Sequence, residues 1–256
     1  LLLLLGLLAL NVLPTDAQEA SNDLTIVHVR GNIYMLQGPG GNIALSRGED
    51  GTLLVDSKFT EHADQIRAIL DTLQGGTIGY ILNTHFHGDH VGGNQALGRG
   101  APIIAHHNVR RRLMARPNID QRYVPPVPKS NWPTLTFEQT LSIYFNGEEI
   151  RAMHFDHGHT DGDIAVFFTK SNVVHMGDLF FNRLFPFVDL DYGGDVENLA
   201  RHIGQFADSL PTNTRIIPGH GPLATLDDLQ IYRQMLEQTL TIVRRGIATN
   251  KSLDQI

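Results

Sequence analysis

The chain contains no cysteine. That excludes a disulfide framework, a thiolate metal ligand and a lipoprotein attachment site, so any metal would have to be held by nitrogen and oxygen. Positive charge is also scarce: 20 Lys and Arg stand against 27 Asp and Glu, giving a formal net charge of -7. A nucleic-acid partner is not expected, because phosphate binding needs a cationic surplus on one face, and the single basic run, Arg110-Arg111-Arg112, reads as a solvated helix face. No apolar run reaches the about 20 residues that a bilayer-spanning helix needs. The longest, Leu1 to Leu13, is broken only by Gly6 and Asn11 and leads to a small-x-small site ending at Ala17. It reads as the hydrophobic part of a secretory signal whose start lies before Leu1, covering residues 1–17. The expectation is export, to the periplasm or beyond, with no stable membrane insertion after cleavage and one domain over 18–256.

Histidine is what the sequence has in quantity, 13 in 256 residues, and it is clustered. An apolar run, Ile78 to Leu82, ends in Asn83-Thr84, and His85-Phe86-His87-Gly88-Asp89-His90 follows at once. Three imidazoles and a carboxylate at the end of a strand are ligands that Zn²⁺ accepts and would be costly to bury without a cation. The competing reading is a solvated His-rich turn, and the rest of the chain decides between them.

Strands are expected near 24–29, 33–36, 43–46 and 52–56, then a helix with the stripe Ile66, Ile69, Leu70 and Leu73, capped by Thr60 and stopped at Gly75-Gly76. After the cluster come a helix from Val91 to Leu97, a strand over 102–105 and a helix over 107–115. Residues 116–133 hold five prolines and the only tryptophan, Trp132, and read as an irregular excursion beside a groove. Strands follow near 136–143, 149–155, 163–168, 172–176 and 215–217, with helices over 195–210 and 226–247. Strands followed by helices, twice, predict a four-layer αββα sandwich.

Further ligand-type residues stand after these strands: His159 in Gly158-His159-Thr160, Asp178 in Gly177-Asp178, and His220 in Pro218-Gly219-His220-Gly221. Each has a flanking glycine that permits close backbone approach. One alone would read as a loop residue; the three with the first cluster point to a metal centre.

The ordered set His-x-His-x-Asp-His, Gly-His-Thr, Gly-Asp and Pro-Gly-His-Gly resembles the metallo-β-lactamase-fold superfamily of zinc hydrolases, across about residues 24–248. The resemblance implies the αββα fold with a metal site at one edge of the two sheets. It implies two Zn²⁺ ions, the first held by His85, His87 and His159, the second by Asp89, His90 and His220, with Asp178 bridging and Asp56 orienting a ligand or water. A metal-bound hydroxide would attack the acyl carbonyl of a small molecule, with Asp89 also orienting it and passing a proton. His106, His107, His154, His157 and His175 read as packed or orienting residues, with His157 the nearest contender.

Cyclic amides, β-lactams first, head the expected substrates; a lactonase or a glyoxalase II-like thioesterase is the alternative. A di-iron accessory protein stands further off, since that branch usually has glutamate where this chain has His87. Two departures matter. β-Lactamases with a cysteine at the position of Asp178 carry a lysine three residues on, where this chain has Phe181, with Arg183 the nearest possible substitute. The glycine-rich connection at 37–42 lies where those enzymes have a flexible flap.

Overall fold

A computed structural model describes residues 23–115, 118–119, 122–123 and 127–256. The expected signal, 1–17, lies outside the described residues, and so does part of the excursion at 116–133. Among the described residues no helix is long and apolar enough to cross a membrane.

The first half builds a seven-stranded sheet. β1 (Thr25–Arg30), β2 (Ile33–Gln37), β3 (Ile43–Gly48) and β4 (Gly51–Val55) form an antiparallel meander. β5 (Ile78–Asn83), β6 (Ile103–His106) and β9 (Leu135–Phe137) continue it in parallel, giving the order β1-β2-β3-β4-β5-β6-β9. Parallel strands covered on both faces read as unbroken apolar runs, and Leu53, Leu54 and Val55 of β4 are all fully buried. β7 (Asn118–Ile119) and β8 (Arg122–Tyr123) pair as a small ribbon, so the proline-rich excursion carries one short regular piece. The second sheet has the order β10-β11-β12-β13-β14, from β10 (Thr140–Phe145), β11 (Glu148–His154), β12 (Ile164–Phe168), β13 (Val173–His175) and β14 (Arg215–Ile217).

Ile33, Met35, Leu53, Val55 and Leu82 of the first sheet pack on Phe145, Ile150, Ile164, Val166 and Ile217 of the second. Outside the first sheet lies α1 (Ala63–Thr72), whose Ile66 and Leu70 meet Leu36, Leu45 and Leu54. Outside the second lie α5 (Val196–Ser209) and α6 (Leu226–Ala248), through Leu199, Ile203, Phe206, Leu229, Tyr232 and Leu236. The fold is the four-layer αββα sandwich. α4 (His107–Met114) makes a side core with Val91, Ala105 and Trp132, so the tryptophan is partly buried beneath the helix. Its indole donates to the Val127 carbonyl at 3.0 Å.

Three local expectations need correction. The strand expected at 136–143 is two strands, β9 and β10, in different sheets. The helix expected from Val91 is two single turns, α2 (Gly88–Val91) and α3 (Asn94–Leu97), because Gly92-Gly93 pack against the Ser57 and Lys58 carbonyls. Thr60 does not cap α1; its hydroxyl donates to Gly92 O at 2.6 Å.

Candidate metal centre

All seven candidate ligands converge at one edge of the two sheets. The turn after β5 brings His85, His87, Asp89 and His90; the loops after β11, β13 and β14 bring His159, Asp178 and His220. Their donor atoms fall into two groups, His85, His87, His159 and Asp178 in one and Asp89, His90 and His220 in the other. Asp178 reaches both, with Oδ2 3.5 Å from His159 Nε2 and 3.3 Å from His220 Nε2, and Oδ1 3.1 Å from His90 Nε2. Gly219 makes this approach possible, since a Cβ there would collide with Asp178 Oδ1. His85, His90, His159 and Asp178 are buried, whereas His87, Asp89 and His220 are partly exposed, so the centre opens on one side.

The outer partners of the imidazoles determine which nitrogen faces inward. His90 Nδ1 donates to Asp56 Oδ2 at 2.7 Å. The Thr84 hydroxyl gives its proton to the same oxygen, so the His85 Nδ1–H donates to Thr84 Oγ1, at 3.1 Å. His159 Nδ1 donates to the Phe187 carbonyl at 2.8 Å, and His87 Nε2 to Asp189 Oδ2 at 2.8 Å. These tautomers are assigned from the network, and at His85, His87 and His159 they leave an unprotonated nitrogen pointing at the centre. His87 Nδ1 then lies 3.1 Å from His85 Nε2 and 2.9 Å from His159 Nε2, three lone pairs facing one another with no proton between them. His90 Nε2 and Asp178 Oδ1 are buried without a well-formed hydrogen bond. Imidazole lone pairs and carboxylates so arranged fit a pair of divalent cations, and the outer hydrogen bonds are those that orient histidine ligands.

The electrostatics agree. Burial, reinforced by His90, holds His85 well below the usual histidine range, and burial with His87 lowers His159 to about 4; both are neutral, as a ligand must be. Burial opposes charge on His220, but its hydrogen bonds to Asp178 and Asp89 raise it to about 9. The same carboxylate pressure, from Asp178 and Asp56, outweighs burial at His90 and raises it well above its ordinary value. The second half of the centre therefore calls for positive charge.

The glycine-rich connection at 37–42 is a packed wall. The buried Lys58 ammonium donates to Gly41 O at 2.6 Å and Pro39 O at 3.1 Å, and Asn42 Nδ2 to Pro218 O and Gly221 O at 3.0 and 2.9 Å. Burial lowers Lys58 to about 8. Gly41 lies flat on the His90 ring, where a Cβ would collide. Through Asn42, connection 37–42 thus clasps the loop that carries His220. Arg183 turns to Asp228, 4.0 Å away, and Phe181 stacks on His220 with centroids 4.9 Å apart. His157 is outside the centre, donating to Gly193 O at 2.6 Å, and His175 donates to Asn42 O at 3.1 Å. Asp189 had no sequence signal: it stands in a loop with Asp191 two residues on, 102 positions from the histidine it orients.

The model of the Metallo-beta-lactamase superfamily matches residues 36–220. Among curated proteins, the hydroxyacylglutathione hydrolase of Nitrosococcus oceani is 32% identical over 150 residues, covering 57% of this chain and 49% of its own length. That of Methylococcus capsulatus is 28% identical over 194 residues, covering 73% of this chain and 61% of its own. The chain thus spans between about half and three fifths of these relatives. Among solved structures, the DIM-1 metallo-beta-lactamase superposes with a TM-score of 0.68 at 16% identity, over 85% of this chain and 98% of that one. A metallo-beta-lactamase from Pontibacter korlensis does so at the same score and identity, over 84% and 99%.

Proposed function

From the premise that the chain belongs to the metallo-beta-lactamase superfamily, we propose that it is a dinuclear zinc hydrolase that cleaves the acyl bond of an ester or thioester, lactones included. The family and the relatives support the hydrolase reading. The observation that carries the metal reading is the three inward lone pairs of His85, His87 and His159 beside the second group of Asp89, His90 and His220.

His85, His87 and His159 would hold one zinc, Asp89, His90 and His220 the other, and Asp178 both. Zinc bound there supplies a Lewis acid for the carbonyl oxygen and brings the pKa of water near neutrality. The chain's own groups do the rest. Asp89, held down at about 2 by His220 and His90 against the opposing effect of burial, stays a carboxylate and accepts a hydrogen bond from the attacking water on the open side. His85, His90, His159 and Asp178 close the back of the site to solvent. Asp163 accepts from Thr160 N at 2.9 Å and from its hydroxyl at 2.5 Å, fixing the turn that presents His159.

Two observations favour an ester or thioester over a lactam. By the resemblance, Phe181 stands where a lysine would grip a lactam carboxylate, and here its ring stacks on His220. The relatives matched at 28 to 32% are named for a thioester substrate. The test is to load the purified protein with zinc, count the metal, and assay nitrocefin, an N-acyl homoserine lactone and lactoylglutathione. Two equivalents of zinc are expected, with the lactone or the thioester turned over faster than nitrocefin. Absence of turnover of all three by a two-zinc protein would sink the reading.

A further inference from the structure

Lys58 is a buried cation that the chemistry above leaves unused. It follows β4, has no exposed surface, and adopts φ +56°, a left-handed conformation uncommon outside glycine. A buried ammonium is costly unless its charge and its donors are met. Burial opposes the charge here, and the fields of Asp89 and then Asp56 favour it. Its three hydrogen bonds all end on main-chain carbonyls of one connection, Gly41 O at 2.6 Å, Pro39 O at 3.1 Å and Gly38 O at 3.4 Å. An ammonium has three donors, so all of them are committed to residues 38–41.

The main chain around Lys58 is bonded to the turn that carries Asp89 and His90. Ser57 N and Oγ donate to His90 O at 2.8 and 3.1 Å, and Gly93 N donates to Lys58 O at 2.9 Å. Lys58 therefore ties two pieces together, its backbone holding the turn and its side chain holding the glycine-rich connection. The two pieces are in contact. A Cβ on Gly41 would collide with the His90 ring, and one on Gly40 would lie 3.0 Å from Asp89 Cβ and 2.8 Å from the Phe59 ring. His90 is also oriented by Asp56. Asp89 is placed differently, because its ion-pair partners, His220 Nε2 at 3.3 Å and His90 Nε2 at 3.6 Å, are themselves candidate ligands. Packing against Gly40 is what fixes it from outside the donor set.

We propose that Lys58 is a positioning residue for the half of the centre formed by Asp89, His90 and His220: its ammonium clamps connection 38–41 onto Asp89 and His90, and the clamp holds both in the arrangement that a second zinc requires. It acts through the connection and not through its charge, which would oppose a divalent cation nearby. The two routes have opposite signs. This inference rests on the dinuclear reading above.

The experiment titrates metal-free protein with zinc in competition with a chromophoric chelator and resolves the two binding steps of the wild type. His220→Ala identifies the step that belongs to the second group, as the one it weakens most. In Lys58→Met that step should weaken about 10-fold, the low end for loss of a residue that orients ligands. The other step should keep its wild-type affinity, which also shows that the variant is folded, and amide hydrogen exchange at residues 40–42 should quicken. Lys58→Gln, whose amide still donates but from one bond shorter, should fall between wild type and Lys58→Met, and it serves as the test if Lys58→Met does not fold. A tighter second step in either variant would make the charge of Lys58 the route. Unchanged affinity, a loss shared equally by both steps, or a weaker second step without faster exchange would each remove the clamp. All four results overturn this inference and leave the dinuclear reading standing. A wild-type protein that binds fewer than two zinc ions would remove the dinuclear reading itself, and this inference with it.

Discussion

At Asp56 the backbone adopts φ +70°, a left-handed conformation at the end of β4, and the carboxylate is fully buried. It accepts from Thr84 N, from the Thr84 hydroxyl and from His90 Nδ1, each at 2.7 Å. One acidic group thereby orients His90 directly and His85 through Thr84. Asn tolerates left-handed φ, so Asp56→Asn isolates the chemistry: the amide replaces an acceptor oxygen by a donor and sets two donors against each other. Zinc affinity should fall about 10- to 100-fold, and stability by about 1–3 kcal/mol for the unsatisfied buried group. Competition with a chromophoric chelator measures the first and urea unfolding the second; wild-type affinity in the variant would remove Asp56 from its orienting role. Asp189 does the same for His87 but is partly exposed. Water can replace its carboxylate, so Asp189→Ala should lie near the low end of that affinity range.

Among the elements, what was legible followed from contiguity. The turn after β5 carries four ligand-type residues in six positions, and the helix stripes of α1 and α5 repeat at 3.6. What was not legible depends on tertiary contacts. Alternation runs on from β9 into β10 because Phe137, Leu141 and Ile143 all face the same inter-sheet core, so nothing in the period marks the change of sheet. The break between α2 and α3 depends on the carbonyls of Ser57 and Lys58, more than thirty positions upstream. The stacked pair His106 and His154 joins the sheets similarly, from β6 and β11, with ring centroids 3.7 Å apart. Burial, then His154 and His107, lowers His106 to about 3. An unfolded histidine takes up a proton near 6.5. Between about pH 6.5 and 3 the unfolded chain thus binds the proton that the folded chain refuses. Stability from this residue is intact above pH 6.5 and is lost as pH falls through that window, about 2 kcal/mol by pH 5. His106→Asn keeps an acceptor for Asn108 N at the start of α4 and removes the titration. In urea unfolding of chelator-treated protein, the loss between pH 7 and pH 5 should be smaller in the variant by about that amount; an equal loss would rule the residue out as the source.

On the scale of the whole molecule, the centre lies across the seam between the sheets. His85, His87, Asp89 and His90 follow a strand of the first sheet, and His159, Asp178 and His220 follow strands of the second. A cation shared through Asp178 would therefore cross-link the two halves and neutralise carboxylates in a chain already at -7. Ligands that bind only the folded state stabilise it by mass action, about 4 kcal/mol when free metal is a thousandfold above its Kd. For a chain of this size that amounts to a rise on the order of 10 °C in melting temperature. Thermal unfolding in excess zinc and in excess chelator should differ by this much and be reversed by adding zinc back. Asp178→Ala should lose at least one metal equivalent and most of the shift, because its two oxygens serve both groups. A wild-type protein that melts within about 1 °C in zinc and in chelator would contradict the cross-link, as would an Asp178→Ala protein that keeps two equivalents and the full shift.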